Sequence, residues 1–371
     1  MNKKIAVVFG DGVGPEVTQQ SIKVLNTVAL KYRHTFEFMF GAIGADAISK
    51  TGDPLPQETI DLCRQCDAVL FGAVGLPQFD NDPFIKIRPE QGLLRLRHEL
   101  DLFASIRPVT SYPALYHISP LRKKLLTAVD FVIYRELSQG IYFGKKEINE
   151  AGTAASDECV YSKQAIERIT RKAFIAAMQR RKKLTLVDKT NVLATSRLWR
   201  KTVQEIAVGY PAVTVDYLFV DNAAMQLIIN PGQFDVILTE NMFGDILSDE
   251  ASVICGSLGL LPSASIGEKY ALFEPIHGSY PKAAGKDIAN PVGSILSAAM
   301  MLDYFGLEDE AAEVREAVEW TLNNGFVSQD IDPVNAHYTS TIGEFVSDFI
   351  SDDIPENINA KNIAFGKATI I

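Results

Sequence analysis

The sequence predicts an α/β protein built on a largely parallel sheet, and three observations carry that prediction. Short β-branched or aromatic runs alternate with longer helical patterns, the arrangement of βαβ units. At 371 residues the chain exceeds the ~250–300 residues at which a single hydrophobic core stops growing. No Pro/Gly/Ser-rich linker divides it, so interleaved domains, in which the chain leaves one and later returns, fit better than two in tandem.

The elements follow in order. IAVVF reads as a strand leading into the helix GPEVTQQSIKVLNTVALKY, where Pro15 sits in the first turn and its missing N–H costs nothing. AVLFGAV, FVIYREL, LTLVD, VTVDYLFV and FDVILT read as further strands. Asn290 and Pro291 open the helix SILSAAMMLDYF, which stops at Gly306. The last stretch, SDDIPENINAKNIAFGKATII, lacks periodicity and reads as a loosely held tail.

Composition excludes several classes. A hydrophobic fraction of 47% with 22% charged residues is that of a soluble globular protein. The net charge of -10 argues against a general nucleic-acid or anionic-membrane surface, since both need clustered positive charge. No run approaches the ~20 apolar residues of a membrane span, and the five apolar residues before Gly-Asp-Gly are too few for a secretory core. Cys63 and Cys66 form a CxxC, but with no second CxxC and no nearby histidine they read as core. The expected compartment is the cytoplasm.

Chemistry is sought first in VVFGDGVGPEV. A Rossmann fingerprint needs G-x-G-x-x-G, yet the glycines stand at 10, 12 and 14, and Pro15 occupies the third position. No acidic residue ends a second strand at the distance needed to grip a ribose. The loop is therefore a tight turn or a lesser ligand contact, and the fold is not a standard Rossmann domain. A better nucleotide loop is EPIHGSYPKAAGKDIANP, residues 274–291, rich in small residues whose amides can approach a pyrophosphate. Within it Glu274, His277 and Asn290 offer directed hydrogen bonds.

TENMFGDILSDEAS places Asp245 and Asp249 four apart on one helix face, where like charges cost ~0.2–0.5 kcal/mol. A hard divalent cation, Mg²⁺ or Mn²⁺, would offset this; a solvated acidic face is the alternative. Asp221, at a strand end ahead of a helix, is a candidate third ligand. Arg97 lies on a helical segment and Arg107 and Arg135 on strand-like stretches bordered by apolar residues, where an unpaired guanidinium is costly, and forked arginine donors suit carboxylates. Lys189 and Tyr142 emerge at the ends of apolar runs as a candidate general base and general acid.

In one order along the chain, GDGVGPEV, TGDPLP, LFGAVG, RPEQGLLRLRHELDLFASIRP, YRELSQGIYFG, VDKTNVLATSRLWR, VDNAAMQLI, FGDILSDEAS and EPIHGSYPKAAGKDIANP resemble the 3-isopropylmalate dehydrogenase family of β-decarboxylating dehydrogenases. The resemblance covers nearly everything except the tail. It implies a two-domain isopropylmalate-dehydrogenase-like fold with a central cleft: residues 1–102 with 256–371 on the cofactor side, and 103–255 carrying substrate, metal and dimer-interface residues. It further implies a homodimer with shared active sites, in which Lys189 and Asp221 reach into the partner's cleft.

By the same resemblance Arg97, Arg107 and Arg135 bind the carboxylates of 3-isopropylmalate, and Asp221, Asp245 and Asp249 hold the cation. Lys189 takes the hydroxyl proton, NAD accepts the hydride, and Tyr142 protonates the carbon left by CO2, giving 4-methyl-2-oxopentanoate for leucine biosynthesis. Leu93, Leu94 and the partner's Val192 would enclose the isopropyl group, with Glu90 repelling a third carboxylate near the cofactor. Glu90, Glu274, His277, Gly278, Ser279, Lys282 and Asn290 would form the cofactor site. Lys282 stands where the family's NAD enzymes usually carry a ribose-binding aspartate, which leaves NADP as the alternative, although Ala283 replaces the tyrosine that commonly follows in NADP enzymes. Tyr280 and Leu76 also depart from the pattern. Two other functions are weighed: a sister enzyme acting on tartrate, malate or isocitrate, and a catalytically silent regulatory subunit.

Overall fold

The computed structural model describes residues 1–79 and 85–352, so the expected loose tail falls almost wholly outside the described residues. The first part of the chain runs β1 (Asn2–Gly10), α1 (Gly14–Tyr32), β2 (Thr35–Phe40), α2 (Gly44–Thr51), α3 (Gln57–Gln65), β3 (Ala68–Ala73) and α4 (Pro89–Glu99). Next come β4 (Ala104–Thr110), α5 (Lys123–Leu126), β5 (Asp130–Glu136), β6 (Lys146–Ile148), β7 (Ala155–Asp157), α6 (Lys163–Gln179), β8 (Lys183–Asp188) and α7 (Ala194–Ala207). The chain continues through β9 (Thr214–Phe219), α8 (Val220–Ile229), β10 (Val236–Thr239) and α9 (Asn241–Cys255). It closes with β11 (Pro262–Ile266), β12 (Ala271–Pro275), α10 (Val292–Tyr304), α11 (Glu308–Asn323) and α12 (Thr339–Ser351).

Among the described residues ten strands form one sheet in the order β2-β1-β3-β12-β11-β4-β5-β10-β8-β9, and β6 pairs with β7 as a separate exposed hairpin. Two parallel blocks, β2-β1-β3-β12 and β5-β10-β8-β9, flank a centre where β12/β11, β11/β4 and β4/β5 are antiparallel. Alternation along the strands sends side chains to opposite faces. On one face Ile5, Val7, Leu70, Phe131, Ile133 and Ile237 join a single apolar cluster spanning both blocks. On the other, Ala6, Val8 and Phe71 belong to one cluster while Val132, Leu184 and Leu238 belong to another. Between the two a small cavity of about 210 Å³ opens, lined by Arg97, Leu137, Gln139 and Arg168 among others.

The β1–α1 turn is held by what surrounds it. Gly10 and Gly12 have φ of 71° and 60°, and a Cβ on each would stand 1.8 Å from the Ala73 carbonyl oxygen and 1.9 Å from that of Ser279. Only glycine fits both constraints. Between them the buried carboxylate of Asp11 accepts from the backbone N–H of Ala45 (2.9 Å) and Gly75 (2.9 Å), tying the turn to the start of α2 and the end of β3. The Val13 N–H donates to the Ser279 carbonyl at 2.7 Å, and Ser279 Oγ donates to the Gly75 carbonyl at 2.6 Å. The opening glycines thus form the seat of the 274–291 loop.

Cys63 and Cys66 are buried in the cluster under β1 and β3, and burial pushes the Cys63 thiol up to about 12. Among the described residues no helix is long and apolar enough to cross a membrane. Gly12→Ala is expected to destabilise the fold by more than ~1 kcal/mol, because alanine is placed both at positive φ and against a carbonyl. A urea-unfolding midpoint equal to that of the native protein would contradict this account of the turn.

Candidate active site

Antiparallel pairing of β4 with β5 brings Arg107 and Arg135 to the same region of the sheet, and α9 crosses it with Asp245, Ser248 and Asp249. Arg135, 4% exposed, donates from Nε to Asn241 Oδ1 at 2.9 Å and from Nη1 to Asp245. Arg107 Nη1 reaches Ser248 Oγ at 2.5 Å and Asp249 Oδ1 at 3.4 Å, and its Nη2 lies 3.9 Å from Asp245. Tyr142 Oη donates to the other Asp245 oxygen at 2.8 Å, with the Arg135 guanidinium 5.7 Å from its ring centre. Asp245 is therefore shared by two cations and a phenol.

Burial pulls the Arg107 guanidinium down from its usual range and brings Arg135 to about 10, with Arg107 adding repulsion and Asp245 opposing it. Burial and the hydrogen bond to Asp245 hold the Tyr142 proton more tightly than usual. Arg97, from α4, donates to Glu274 at 2.7 Å, and Glu274 is itself buried. The Nε–H groups of Arg97 and Arg107 are buried with no acceptor among the described residues, which is costly unless a bound anion supplies one.

Lys189 and Asp221 lie elsewhere. Asp188, at the end of β8, is clamped by Arg200 through two contacts of 2.8 Å, and this fixes the turn from which Lys189 emerges. Lys189 Nζ contacts Asp221 Oδ1 at 2.5 Å, and that hydrogen bond holds the Asp221 carboxyl below its usual range. Among the described residues no hydrogen bond or ion pair joins this pair to the arginine cluster, and no three His, Cys, Asp or Glu side chains converge within one chain as a metal cage. Val192 beside them is 62% exposed.

The 274–291 loop borders a cavity of about 620 Å³ lined by His277, Gly278, Tyr280, Ile288, Asn290 and Asp330 among others. His277 Nδ1 lies 2.9 Å from the Gly278 carbonyl, which assigns it the proton and leaves Nε2 a buried, unpartnered acceptor. Burial also depresses the imidazole, keeping it neutral. Asn290 Nδ2 donates to Asp330 at 3.2 Å while its Oδ1 accepts from the Val292 N–H at the head of α10. Lys282 and Glu274 are not among the residues lining this cavity. Lys282 is exposed, on the short turn Pro281–Ala283, and Glu274 belongs to the arginine cluster. Glu90 lies beside Gly75, its Oε1 2.6 Å from where a Cβ there would stand, so it faces the Ser279 anchor. Leu93 is partly buried against the core and Leu94 is exposed on the same helix.

Sequence reasoning missed Asp330, an aspartate in a turn with no periodic context, and Ser248, whose hydroxyl meets Arg107. The spacing Asp245-x-x-Ser248-Asp249 on one helix carried the only signal for the latter.

A family profile described as isocitrate/isopropylmalate dehydrogenase matches residues 4–346. A 3-isopropylmalate dehydrogenase of Bacteroides fragilis is 51% identical over 352 residues, covering 94% of this chain and 99% of that protein. That of Aquifex aeolicus is 49% identical over 366 residues, covering 98% and 99%. Among solved structures, an isocitrate dehydrogenase from Methylococcus capsulatus superposes with a TM-score of 0.84 at 34% identity, covering 94% of this chain and 99% of that one. A β-decarboxylating dehydrogenase from Thermococcus kodakarensis gives 0.79 at 37% identity, covering 96% and 98%.

Because Asp245 separates two buried guanidinium groups, Asp245→Asn is expected to lower stability by more than ~1 kcal/mol. Asp249→Asn, at the exposed end of the cluster, should change it by less than ~0.5 kcal/mol. Equal effects in denaturant titrations would remove Asp245 from its central place.

Proposed function

The chain belongs to the isocitrate/isopropylmalate dehydrogenase family, and we propose that it catalyses the oxidative decarboxylation of 3-isopropylmalate to 4-methyl-2-oxopentanoate in leucine biosynthesis. Identities near 50% over almost the whole chain to proteins of that activity support the substrate. The observation that carries the chemistry is the convergence of Arg107, Arg135, Tyr142, Asp245 and Asp249. A silent subunit would have no use for buried cations with unpartnered donors beside a proton-holding phenol.

Asp245 and Asp249 supply hard oxygen donors that fit Mg²⁺ or Mn²⁺, and Asp221 of a second copy would complete the set. The neutral His277, Gly278, Asn290 and Asp330 fit the adenosine half of a dinucleotide, with NAD the favoured form and NADP the alternative. When bound, the cation polarises the substrate hydroxyl and the nicotinamide provides the hydride acceptor. Arg97, Arg107 and Arg135 bind and orient the two substrate carboxylates through paired N–H donors. Lys189 Nζ takes the hydroxyl proton. Tyr142 Oη, which holds its proton at neutral pH, delivers it to the carbon from which CO2 has left. Leu93 and Leu94, with Val192 of a second copy, would receive the isopropyl group, worth about 0.8 kcal/mol for each methylene-sized unit buried. Glu90 would disfavour a third carboxylate.

A homodimer belongs to this reading. Met225, Ile228 and Ile229 of α8 and Ile246 and Val253 of α9 are 43–59% exposed on two packed helices, an apolar face suited to a second copy. Such docking would carry Lys189 and Asp221 away from their own cluster and toward the other. Residues 1–102 with 256–371 then form the cofactor side and 103–255 the substrate and interface side. Four unbridged cysteines agree with a cytoplasmic setting.

Cofactor reduction measured over 3-isopropylmalate, isocitrate, tartrate and malate should give the highest kcat/KM with 3-isopropylmalate; a higher value for another acid overturns the substrate. Lys189→Ala and Tyr142→Phe should each lower kcat by about 10²-fold or more while the dimer persists on gel filtration. Turnover at the native level would refute their roles. Lys282→Asp should raise the NAD-to-NADP ratio of kcat/KM by about tenfold through loss of a phosphate-binding charge. An unchanged ratio would show that Lys282 does not meet the ribose.

A further inference from the structure

Tyr280 stands in a conformation its side chain disfavours. Its φ of 37° and ψ of 63° lie in the left-handed region, where glycine is the ordinary occupant, and the following Pro281 narrows the choice further. The turn it opens is pinned from behind: Ala283 is fully buried against Val13, Val17 and Ala289, and the Ala283 N–H donates to the Tyr280 carbonyl at 3.0 Å. The residue is thereby held at the wall of the 620 Å³ cavity, 57% exposed. Among the described residues its hydroxyl makes no hydrogen bond and its ring meets no other aromatic. A large apolar face at the wall of a nucleotide-sized cavity, at a backbone position suited to glycine, makes no aromatic or hydrogen-bonded contact among the described residues.

We propose that Tyr280 is a specificity-determining residue whose ring stacks on the purine of the bound dinucleotide, closing the cavity opposite the polar side formed by His277, Asn290 and Asp330. This rests on the nucleotide reading of the cavity and deepens it. Stacking needs the π face and not the hydroxyl, so phenylalanine should serve as well as tyrosine.

The test is calorimetric titration of the full-length enzyme with ADP and, separately, with nicotinamide mononucleotide. Tyr280→Ala should weaken ADP binding about tenfold, Tyr280→Phe should stay within about twofold, and neither should alter binding of the mononucleotide. Upfield shifts of the adenine H2 and H8 protons on binding should be present with the native enzyme and Tyr280→Phe and lost in Tyr280→Ala. Tyr280→Gly should likewise lose ADP affinity while unfolding at a higher temperature than Tyr280→Ala, since it alone relieves the backbone. Native ADP affinity in Tyr280→Ala, or weakening confined to the mononucleotide, overturns the proposal. Failure of the native enzyme to bind ADP would instead overturn the nucleotide reading beneath it.

Discussion

The shared carboxylate of Asp245 is the constraint on which the arginine cluster and the elements around it depend. Two guanidinium groups rise from neighbouring antiparallel strands, and without an anion between them the pair would repel across a poorly solvated gap. Placing that anion on α9 fixes the helix against β4 and β5. One turn further along, Ser248 and Asp249 engage Arg107. The same carboxylate accepts from Tyr142, so the loop after β5 is positioned by the charge balance that holds the helix. Glu136, buried beneath that loop, accepts from the backbone of Ser138 and Gln139 and sets its first turn.

A second set of contacts performs the corresponding work on the other side of the sheet. Asp11 gathers amides from α2 and β3, and Ser279 bridges Gly75 to Val13. The glycines at 10 and 12 thus serve close backbone approach, which is the physical reason their spacing departs from a dinucleotide fingerprint. Glu16 of α1 extends the grip by accepting from the Asp287 N–H at 3.2 Å.

Much of this was legible beforehand. The β-branched runs became β1, β3, β5, β8 and β10, because a strand buried on both faces must be continuously apolar, and β9, a partly exposed strand at the sheet edge. The central strands were not legible. PSASI and ALFEP are short, with prolines at their ends, and Ser265 is buried by donating to Glu274 rather than by being apolar. The antiparallel centre escaped notice for that reason. In the site, four-residue spacing marked Asp245 and Asp249, apolar surroundings marked Arg107 and Arg135, and the ends of apolar runs marked Lys189 and Tyr142. Asp330 could not be found this way, because its partner Asn290 is 40 positions distant and the two meet only through tertiary packing. Nor does sequence announce that Tyr280 adopts a backbone suited to glycine.

The interleaved strand order also bears on how the chain emerges from the ribosome. Strands β5, β8, β9 and β10 all come from one continuous stretch, 130–239, and can assemble as soon as it is made. The earlier strands β1 and β3 must wait for β12 at their flank and for α10 and α12 to cover α1, all encoded after residue 270. Translation therefore completes the second parallel block before the first, and leaves the apolar N-terminal third in need of shelter until the last helices arrive.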